Sequence, residues 1–413
     1  MAHQRYDNYH FLSGMRTSPI FYPPISLQNS SNINLAPNLS FNGNPDNHIM
    51  YDYTVSGCYD CDDELDFKIP YQDPTNTMNF QSQILVSNIL LPTCIKIDPN
   101  LIVPWGMIIL NDIIWVANFG SGLITSYNLR GDPLNFKFQV FGSMGNISQP
   151  TGLVFNTNTN CFLINKGPIR DFSNIIVVTK NGTIHGYNSS VDPCNSIMLY
   201  DATLKNSVYT GIAIKNSIHR NENFMFNNLI YVTDFFNRQI DVFDCNMNNI
   251  KNFPFIDDNM LEPIPINFAP YNITSIGDFL YVTYARQNPN NPQCALCGVG
   301  EGYINMFTWD GRIVRRFASC GPLNAPWGMV LAPSLFGYPA GSIMVANSGN
   351  GIINVFDACG NYLTNLKDRN GNDIYIENIK GFTFNSKFCK ILYWASHVGI
   401  TTTSFLGTIF SDK

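Results

Sequence analysis

The chain has 413 residues, 45% of them hydrophobic and 13% charged, with a formal net charge of -6 and a sequence pI of about 5.5. That length and apolar share favour one large domain plus an extension over three small domains. With no Lys/Arg-rich run and no basic surface to neutralise phosphates, nucleic-acid binding is disfavoured from the start.

Residues 1–78 carry no regular pattern and are rich in Pro, Asn, Ser, Tyr and Asp, as in Phe21-Tyr22-Pro23-Pro24 and Asn29-Ser30-Ser31-Asn32. This composition predicts an irregular N-terminal extension. It reads either as a disordered tail or, because Phe11, Phe21, Tyr22, Phe41, Tyr51 and Tyr53 make it unusually aromatic, as an assembly arm that orders on a neighbouring surface. Residues 1–16 contain no apolar run of signal-peptide length, and no uncharged apolar stretch reaches membrane-spanning length. Synthesis without an export signal is the expectation.

From residue 79 to 413 the pattern changes to short strands in a repeating unit. An early strand, Gln81–Ser87, comes first. The first blade reads Pro104-Trp-Gly-Met-Ile-Ile-Leu, then Ile-Ile-Trp115-Val-Ala-Asn118, then Gly122-Leu-Ile-Thr-Ser-Tyr127-Asn. The second has Pro150-Thr-Gly-Leu-Val-Phe, Ile175-Ile-Val-Val-Thr-Lys180 and Gly182-Thr-Ile-His-Gly-Tyr187. The third has Tyr209-Thr-Gly-Ile-Ala-Ile, Leu229-Ile-Tyr-Val-Thr-Asp234 and Gln239-Ile-Asp-Val-Phe-Asp244. The fourth has Pro270-Tyr-Asn-Ile, Phe279-Leu-Tyr-Val-Thr-Tyr284 and Gly302-Tyr-Ile-Asn-Met-Phe307. The fifth repeats the first closely: Pro326-Trp-Gly-Met-Val-Leu, Ser342-Ile-Met-Val-Ala-Asn347 and Gly351-Ile-Ile-Asn-Val-Phe-Asp357. The sixth has Ile379-Lys-Gly-Phe-Thr-Phe, Ile391-Leu-Tyr-Trp-Ala-Ser396 and Phe405-Leu-Gly-Thr-Ile-Phe410.

The period suits propeller blades. Strands rich in Ile, Val, Tyr and Phe suit a pleated, buried surface, and Gly or Asn at the turns supplies positive φ. Near-continuous apolar runs imply that both faces of each sheet are covered, as when sheets stack radially. The predicted fold is therefore an all-β, six-bladed β-propeller over residues 79–413. Its ring closes by pairing Gln81–Ser87 with the last strand near Gly407–Phe410, which leaves no open edge.

Two rings of side chains are expected at one mouth of the channel: Trp105, Thr151, Thr210, Tyr271, Trp327 and Lys380; and Asn118, Lys180, Asp234, Tyr284, Asn347 and Ser396. An aromatic mouth with convergent polar groups is a ligand site by default. Turn capping by Asn and Asp, with tryptophans wedged between blades, is the alternative. A Ca²⁺ held by the oxygens of Asp234, Asn347 and Asn118 is one candidate metal centre. A zinc site built from Cys58-x-x-Cys61 and Cys294-x-x-Cys297 is another, with local disulfides or free thiols as its competitors. Most of the eleven cysteines are expected to be buried thiols. No Gly-x-Ser-x-Gly, His-Glu-x-x-His or phosphate-loop motif occurs, and His3, His10, His48, His185, His219 and His397 offer no triad.

From about Gln81 to Phe410 the chain resembles an uncharacterised family of NHL-like propellers, mostly bacterial exported proteins. The likeness is carried by Asn100-Leu-Ile-Val-Pro-Trp-Gly, Gln149-Pro-Thr-Gly-Leu-Val-Phe-Asn, Asn181-Gly-Thr-Ile-His-Gly-Tyr-Asn, Ala269-Pro-Tyr-Asn-Ile with Leu280-Tyr-Val-Thr-Tyr-Ala-Arg-Gln, and Leu323-Asn-Ala-Pro-Trp-Gly-Met. The resemblance implies six blades and no particular reaction. Family members carry Asp or Glu where this chain has Asn118 and Lys180, whereas Asp234 and Asn347 fit. The Asn-rich composition and the added extension look like a protein of an amoeba-infecting giant virus of the mimivirus type. Two functions follow as expectations. One is a non-enzymatic binding or structural propeller, a virion or surface-fibre component in the virion or host cytoplasm, with itself or other virion proteins as partners and no cofactor. The other is a divalent-cation-dependent hydrolase or lyase of the lactonase-like propeller type.

Overall fold

A computed structural model describes residues 80–92, 96–215, 228–257, 261–385, 387, 389–399 and 402–411. Strand β1 (Phe80–Ser87) precedes the first complete blade, formed by β2 (Pro104–Leu110), β3 (Ile113–Asn118), β4 (Leu123–Asn128) and β5 (Phe138–Gln139). Blade two is β6 (Pro150–Phe155), an inserted hairpin β7 (Leu163–Lys166) and β8 (Ile169–Phe172), then β9 (Ile175–Thr179), β10 (Thr183–Tyr187) and β11 (Ile197–Asp201). Blade three is β12 (Tyr209–Ile214), β13 (Ile230–Asp234), β14 (Gln239–Phe243) and β15 (Asn249–Ile250). Blade four is β16 (Phe268–Ile276), β17 (Phe279–Asn288), β18 (Asn291–Leu296), β19 (Tyr303–Phe307) and β20 (Ile313–Ser319). Blade five is β21 (Pro326–Leu331), β22 (Ile343–Asn347), β23 (Ile353–Phe356) and β24 (Tyr362–Asn365). Blade six is β25 (Phe382–Phe384), β26 (Ile391–His397) and β27 (Ser404–Ser411), completed by β1.

Every blade is an antiparallel sheet, and the first strands neighbour one another around a closed ring in the order β2, β6, β12, β16, β21, β25 and back to β2. The predicted closure is present. Gln81 pairs with Phe410 and Ile84 with Gly407, so the outermost strand of the last blade comes from the start of the propeller. No helix among the described residues is long and apolar enough to cross a membrane.

The core explains why the strands read as unbroken apolar runs. Among the described residues, six clusters lie one at each interface between adjacent blades. For example, Ile176, Val178 and Ile184 of blade two meet Tyr209, Ile230 and Val232 of blade three. Met107, Val116 and Tyr127 of blade one meet Tyr393, Ala395 and Leu406 of blade six. All five residues of β9, of β13 and of β22 are buried because each of these strands has a blade on either side. A seventh cluster sits on the channel axis.

The recurring Pro-x-Gly glycines act differently from the expectation of positive φ. Gly122, Gly182 and Gly351 at the second turn do take φ of 70–79°. The glycines of the inner strands are instead sites of close approach: a Cβ on Gly106 would lie 2.5 Å from Thr151 O, and one on Gly381 would lie 2.5 Å from Trp105 O. Blade four carries Asn272 at this place, and its Nδ2 donates to Trp327 O of blade five at 2.8 Å.

The cysteine expectation needs correction. Cys161 and Cys245 form a disulfide across 84 residues. It ties the segment ahead of the inserted β7–β8 hairpin to the turn after β14, a contact made only by the stacking of blades two and three. Cys194, Cys297 and Cys320 are exposed rather than buried.

Ring closure should be sensitive at Gly407, where a Cβ would sit 2.2 Å from Trp394 Cζ2 and 2.6 Å from Gln83 O. Gly407→Ala is expected to cost about 1–3 kcal/mol through overpacking of the closing strand. Urea unfolding of the two proteins reads this directly, and an unchanged midpoint would contradict it.

Candidate functional site

Each inner strand begins at the mouth, because the residue opening β2 pairs with the residue closing β3, Pro104 with Asn118. The same register holds in blade five, Pro326 with Asn347. Residues one step into the inner strands therefore point at the axis. Trp105, Tyr271 and Trp327 meet there, with Trp105 6.4 Å from each of the other two rings. Lys380, just ahead of β25, places its Nζ 4.7 Å over the Trp105 ring. Thr151 and Thr210 complete this ring as lacing: Thr151 Oγ1 donates to Tyr209 O of the next blade at 2.7 Å, and Thr210 O accepts from Trp327 Nε1 at 3.0 Å. The first predicted ring is thus assembled, and its centre is filled by aromatic side chains.

The second ring divides. Asn118, Asp234 and Asn347 are fully buried and are engaged in the turns of their own blades. Asp234 Oδ1 accepts from Val208 N at 3.0 Å, and its Oδ2 accepts from Asn237 Nδ2 at 2.8 Å. Asn347 Oδ1 accepts from Asn324 N at 3.1 Å, while its Nδ2 donates to Pro322 O and Asn354 Oδ1. Asn118 Nδ2 donates to Val116 O, Leu123 O and Thr125 Oγ1. The oxygens of Asp234 and Asn347 that a cation would need already receive N–H donors. Asn118 Oδ1 is buried without a partner, because Val103 N donates to Ser404 Oγ of the closing strand instead.

Tyr284 holds the ring's register position, paired with Pro270, but its side chain caps no turn. It packs between blades three and four with Tyr231, Val282 and Phe307, where burial pushes its phenol well above the usual tyrosine range. Ser396 is buried at the end of β26. Lys180 remains at the mouth, its Nζ 5.7 Å from the Phe119 ring centroid and 3.5 Å from Cys294 Sγ.

Cys294 belongs to a feature visible in the sequence only as an expanded loop of blade four. Strand β17 runs past the usual end and turns back as β18, with Gln287 opposite Ala295. The hairpin lies over the aromatic cluster, and Ala295 packs on it. Gln287 Nε2 donates to Phe235 O at 2.7 Å and Phe236 O at 3.1 Å in blade three, and Gly298 N donates to Asn324 Oδ1 in blade five at 2.8 Å. Cys58 and Cys61 lie outside the described residues, and among the described residues no three His, Cys, Asp or Glu side chains form a group able to hold a metal ion. Cys294 meets Lys180, while Cys297 interacts electrostatically with Lys380.

In blade two Thr179 takes the position opposite Pro150 and Lys180 follows it; in four other blades sequence reasoning missed the corresponding successor. Phe119, Phe235, Ser348 and His397 follow Asn118, Asp234, Asn347 and Ser396. Strand alternation carries the capping side chain to the turn and its successor to the mouth. The Phe119 ring lies tilted 5.4 Å from Trp105, and that of Phe235 tilted 5.1 Å from Tyr271. The Ser348 hydroxyl hydrogen-bonds the Tyr271 phenol. Applying period two across the six strand ends would have found them.

Among the described residues, no carboxylate pairs with the lysines of the mouth, Lys180 and Lys380. Burial lowers Lys380 from the ordinary 10.5 to about 8; the neighbouring Cys297 opposes this and the Lys180 charge adds to it. Burial, with a smaller contribution from Lys380, lowers His397 to about 4. Partial desolvation raises the Cys297 thiol and Lys380 counteracts it.

The lysine shift sets a pH dependence. A lysine whose folded pKa lies below its unfolded one destabilises the fold while charged. That cost is full below the folded value of about 8 and disappears as pH rises to the unfolded 10.5. A shift of this size corresponds to about 3 kcal/mol. Lys380→Met should therefore unfold at a higher temperature at neutral pH, and the gain over wild type should shrink as pH is raised from about 8 to 10.5. A pH-independent difference in thermal unfolding would contradict this.

No family model matches the chain. It is similar to three uncharacterised proteins of Acanthamoeba polyphaga mimivirus. One is 44% identical over 312 residues, 76% of this chain and 56% of that relative, so the match spans little more than half of its length. A second is 35% identical over 382 residues, 87% of this chain and 98% of the relative. A third is 36% identical over 318 residues, 76% of each. Among solved structures, a protein of unknown function from Bacteroides thetaiotaomicron is 9% identical with a TM-score of 0.50, covering 81% of this chain and 76% of that one. A virginiamycin B lyase from Staphylococcus aureus is 12% identical with a TM-score of 0.45, covering 80% of this chain and 99% of that one. The first is a likeness of fold alone, and the second supports no argument. The chain belongs to the family of its mimivirus relatives, as a six-bladed β-propeller with a roofed channel mouth.

Proposed function

We propose that this propeller is a non-enzymatic binding or structural protein, a virion or surface-fibre component that assembles through the arm formed by residues 1–78, in the virion or host cytoplasm. Its viral relatives fit that setting, and kinship with the NHL-like propellers belongs to the same reading. One observation carries it. The place where a propeller would present a reactive centre is stoppered by Trp105, Tyr271 and Trp327 and covered by β17–β18, while Asp234 and Asn347 are engaged in turn hydrogen bonds. Such a scaffold offers its rim and outer strands to partners. On blade one, Phe136, Phe141, Met144 and Ile147 are exposed apolar side chains, with Met144 96% exposed. Residues 1–78 lie outside the described residues.

The full chain is expected to sediment as an oligomer, a chain lacking residues 1–78 as a monomer with the same unfolding transition, and antibodies to the protein should label purified particles. Monomeric full-length protein that is absent from particles would overturn the proposal. So would cation-dependent hydrolase or lyase turnover that disappears in Asp234→Ala.

A further inference from the structure

Two ammonium groups flank blade one at the mouth, and among the described residues neither pairs with a carboxylate. Lys380 is only 7% exposed, and its Nζ faces the Trp105 ring with no hydrogen bond or ion pair among the described residues. Lys180 has the Phe119 ring and a thiol at 3.5 Å. The acids of this region are used elsewhere: Asp234 caps its own turn, and Glu301 pairs with Arg286 at 2.7 Å. Trp105 adds a second, independent signal. Its twin, Trp327, donates its indole N–H to Thr210 O, whereas Trp105 Nε1 is buried with no acceptor. A buried, unpaired cation beside an unmet N–H donor is costly unless a partner arrives.

We propose that the blade-one side of the mouth binds a compact oxyanion, a carboxylate or phosphate group held between Lys180 and Lys380 beneath the β17–β18 hairpin. Oxyanions supply what both ammonium groups lack, an acceptor with several lone pairs. The other titratable groups facing the site are Cys294, Cys297, Tyr271 and His397. Burial raises the Tyr271 phenol and the Cys297 thiol and lowers His397, so these three are held neutral at neutral pH and supply no negative charge. Entry follows from how the roof is fastened. On the side of blades three and five it is held by the amide hydrogen bonds of Gln287 and Gly298. On the side of blades two and six the contacts are those of Lys180 with Cys294 and of Lys380 with Cys297, an exposed residue. Filling the site holds the Lys380 amine in its charged form and stabilises the fold by mass action.

The test titrates the full chain with inorganic phosphate and, separately, with acetate at constant ionic strength, reading tryptophan fluorescence and thermal unfolding. At neutral pH one or both probes should give a saturable change with a rise in unfolding temperature. Affinity should fall by about tenfold or more in Lys380→Met and in Lys180→Met, the loss expected for a charged hydrogen-bond partner. It should also weaken at about pH 9.5, above the folded pKa of Lys380 and below the unperturbed lysine value. A response to acetate alone assigns a carboxylate, and one to phosphate alone assigns a phosphate. A wild-type response no different from that to chloride, or folded variants that keep wild-type affinity, would overturn the proposal. Neither outcome depends on whether the chain oligomerises, so this site and assembly through the arm fail separately.

Discussion

Radial closure is the constraint on which everything else depends. A single four-stranded blade with apolar residues on both faces is unstable in water, and burying one large apolar side chain contributes only about 1.5–3 kcal/mol. Six interfaces, each with its own cluster, make the sheets mutually supporting, and the pairing of β1 with β27 completes the last blade with a strand from the start of the propeller. The close approach of inner strands at Gly106, Gly152, Gly211, Gly328 and Gly381 sets how tightly the ring draws in. The side chains one position ahead of those glycines consequently meet on the axis.

That convergence explains the character of the mouth. Aromatic rings fill the axis where small residues would have left a pore, and the hairpin of blade four extends over them. Lysines enter from blades two and six, on either side of blade one, and rest on aromatic faces in place of carboxylates. Cation–π contact offsets part of the desolvation of an ammonium group but leaves its hydrogen-bonding capacity unmet. The mouth is therefore an aromatic stopper with a positively charged edge.

Local chemistry made much of this legible. Pro-x-Gly turns, apolar runs and terminal Asn or Asp residues mark strand order, blade number and closing strand, because each depends on only a few neighbouring residues. The ring of Trp105, Tyr271, Trp327 and Lys380 could be read the same way, since one register places all four. Tyr284 keeps the register, paired with Pro270 as Asn118 is with Pro104, but the strand that carries it runs on. Blade four extends its second strand beyond the common length, and the extension rather than the repeat position supplies the side chains over the channel. The inserted hairpin of blade two likewise breaks the repeat and carries no period of its own.

By itself, then, the sequence determined the all-β architecture, the six-fold repeat and the ring of inner positions, all consequences of periodicity two and of turn chemistry. Tertiary structure alone decided which donors each buried capping residue meets, as when Asp234 accepts from Val208 N and Asn347 from Asn324 N. It also decided that Cys161 meets Cys245, and that thiols of blade four lie beside lysines of blades two and six. Those encounters join residues far apart in the chain, and only the stacking of closed blades brings them within reach.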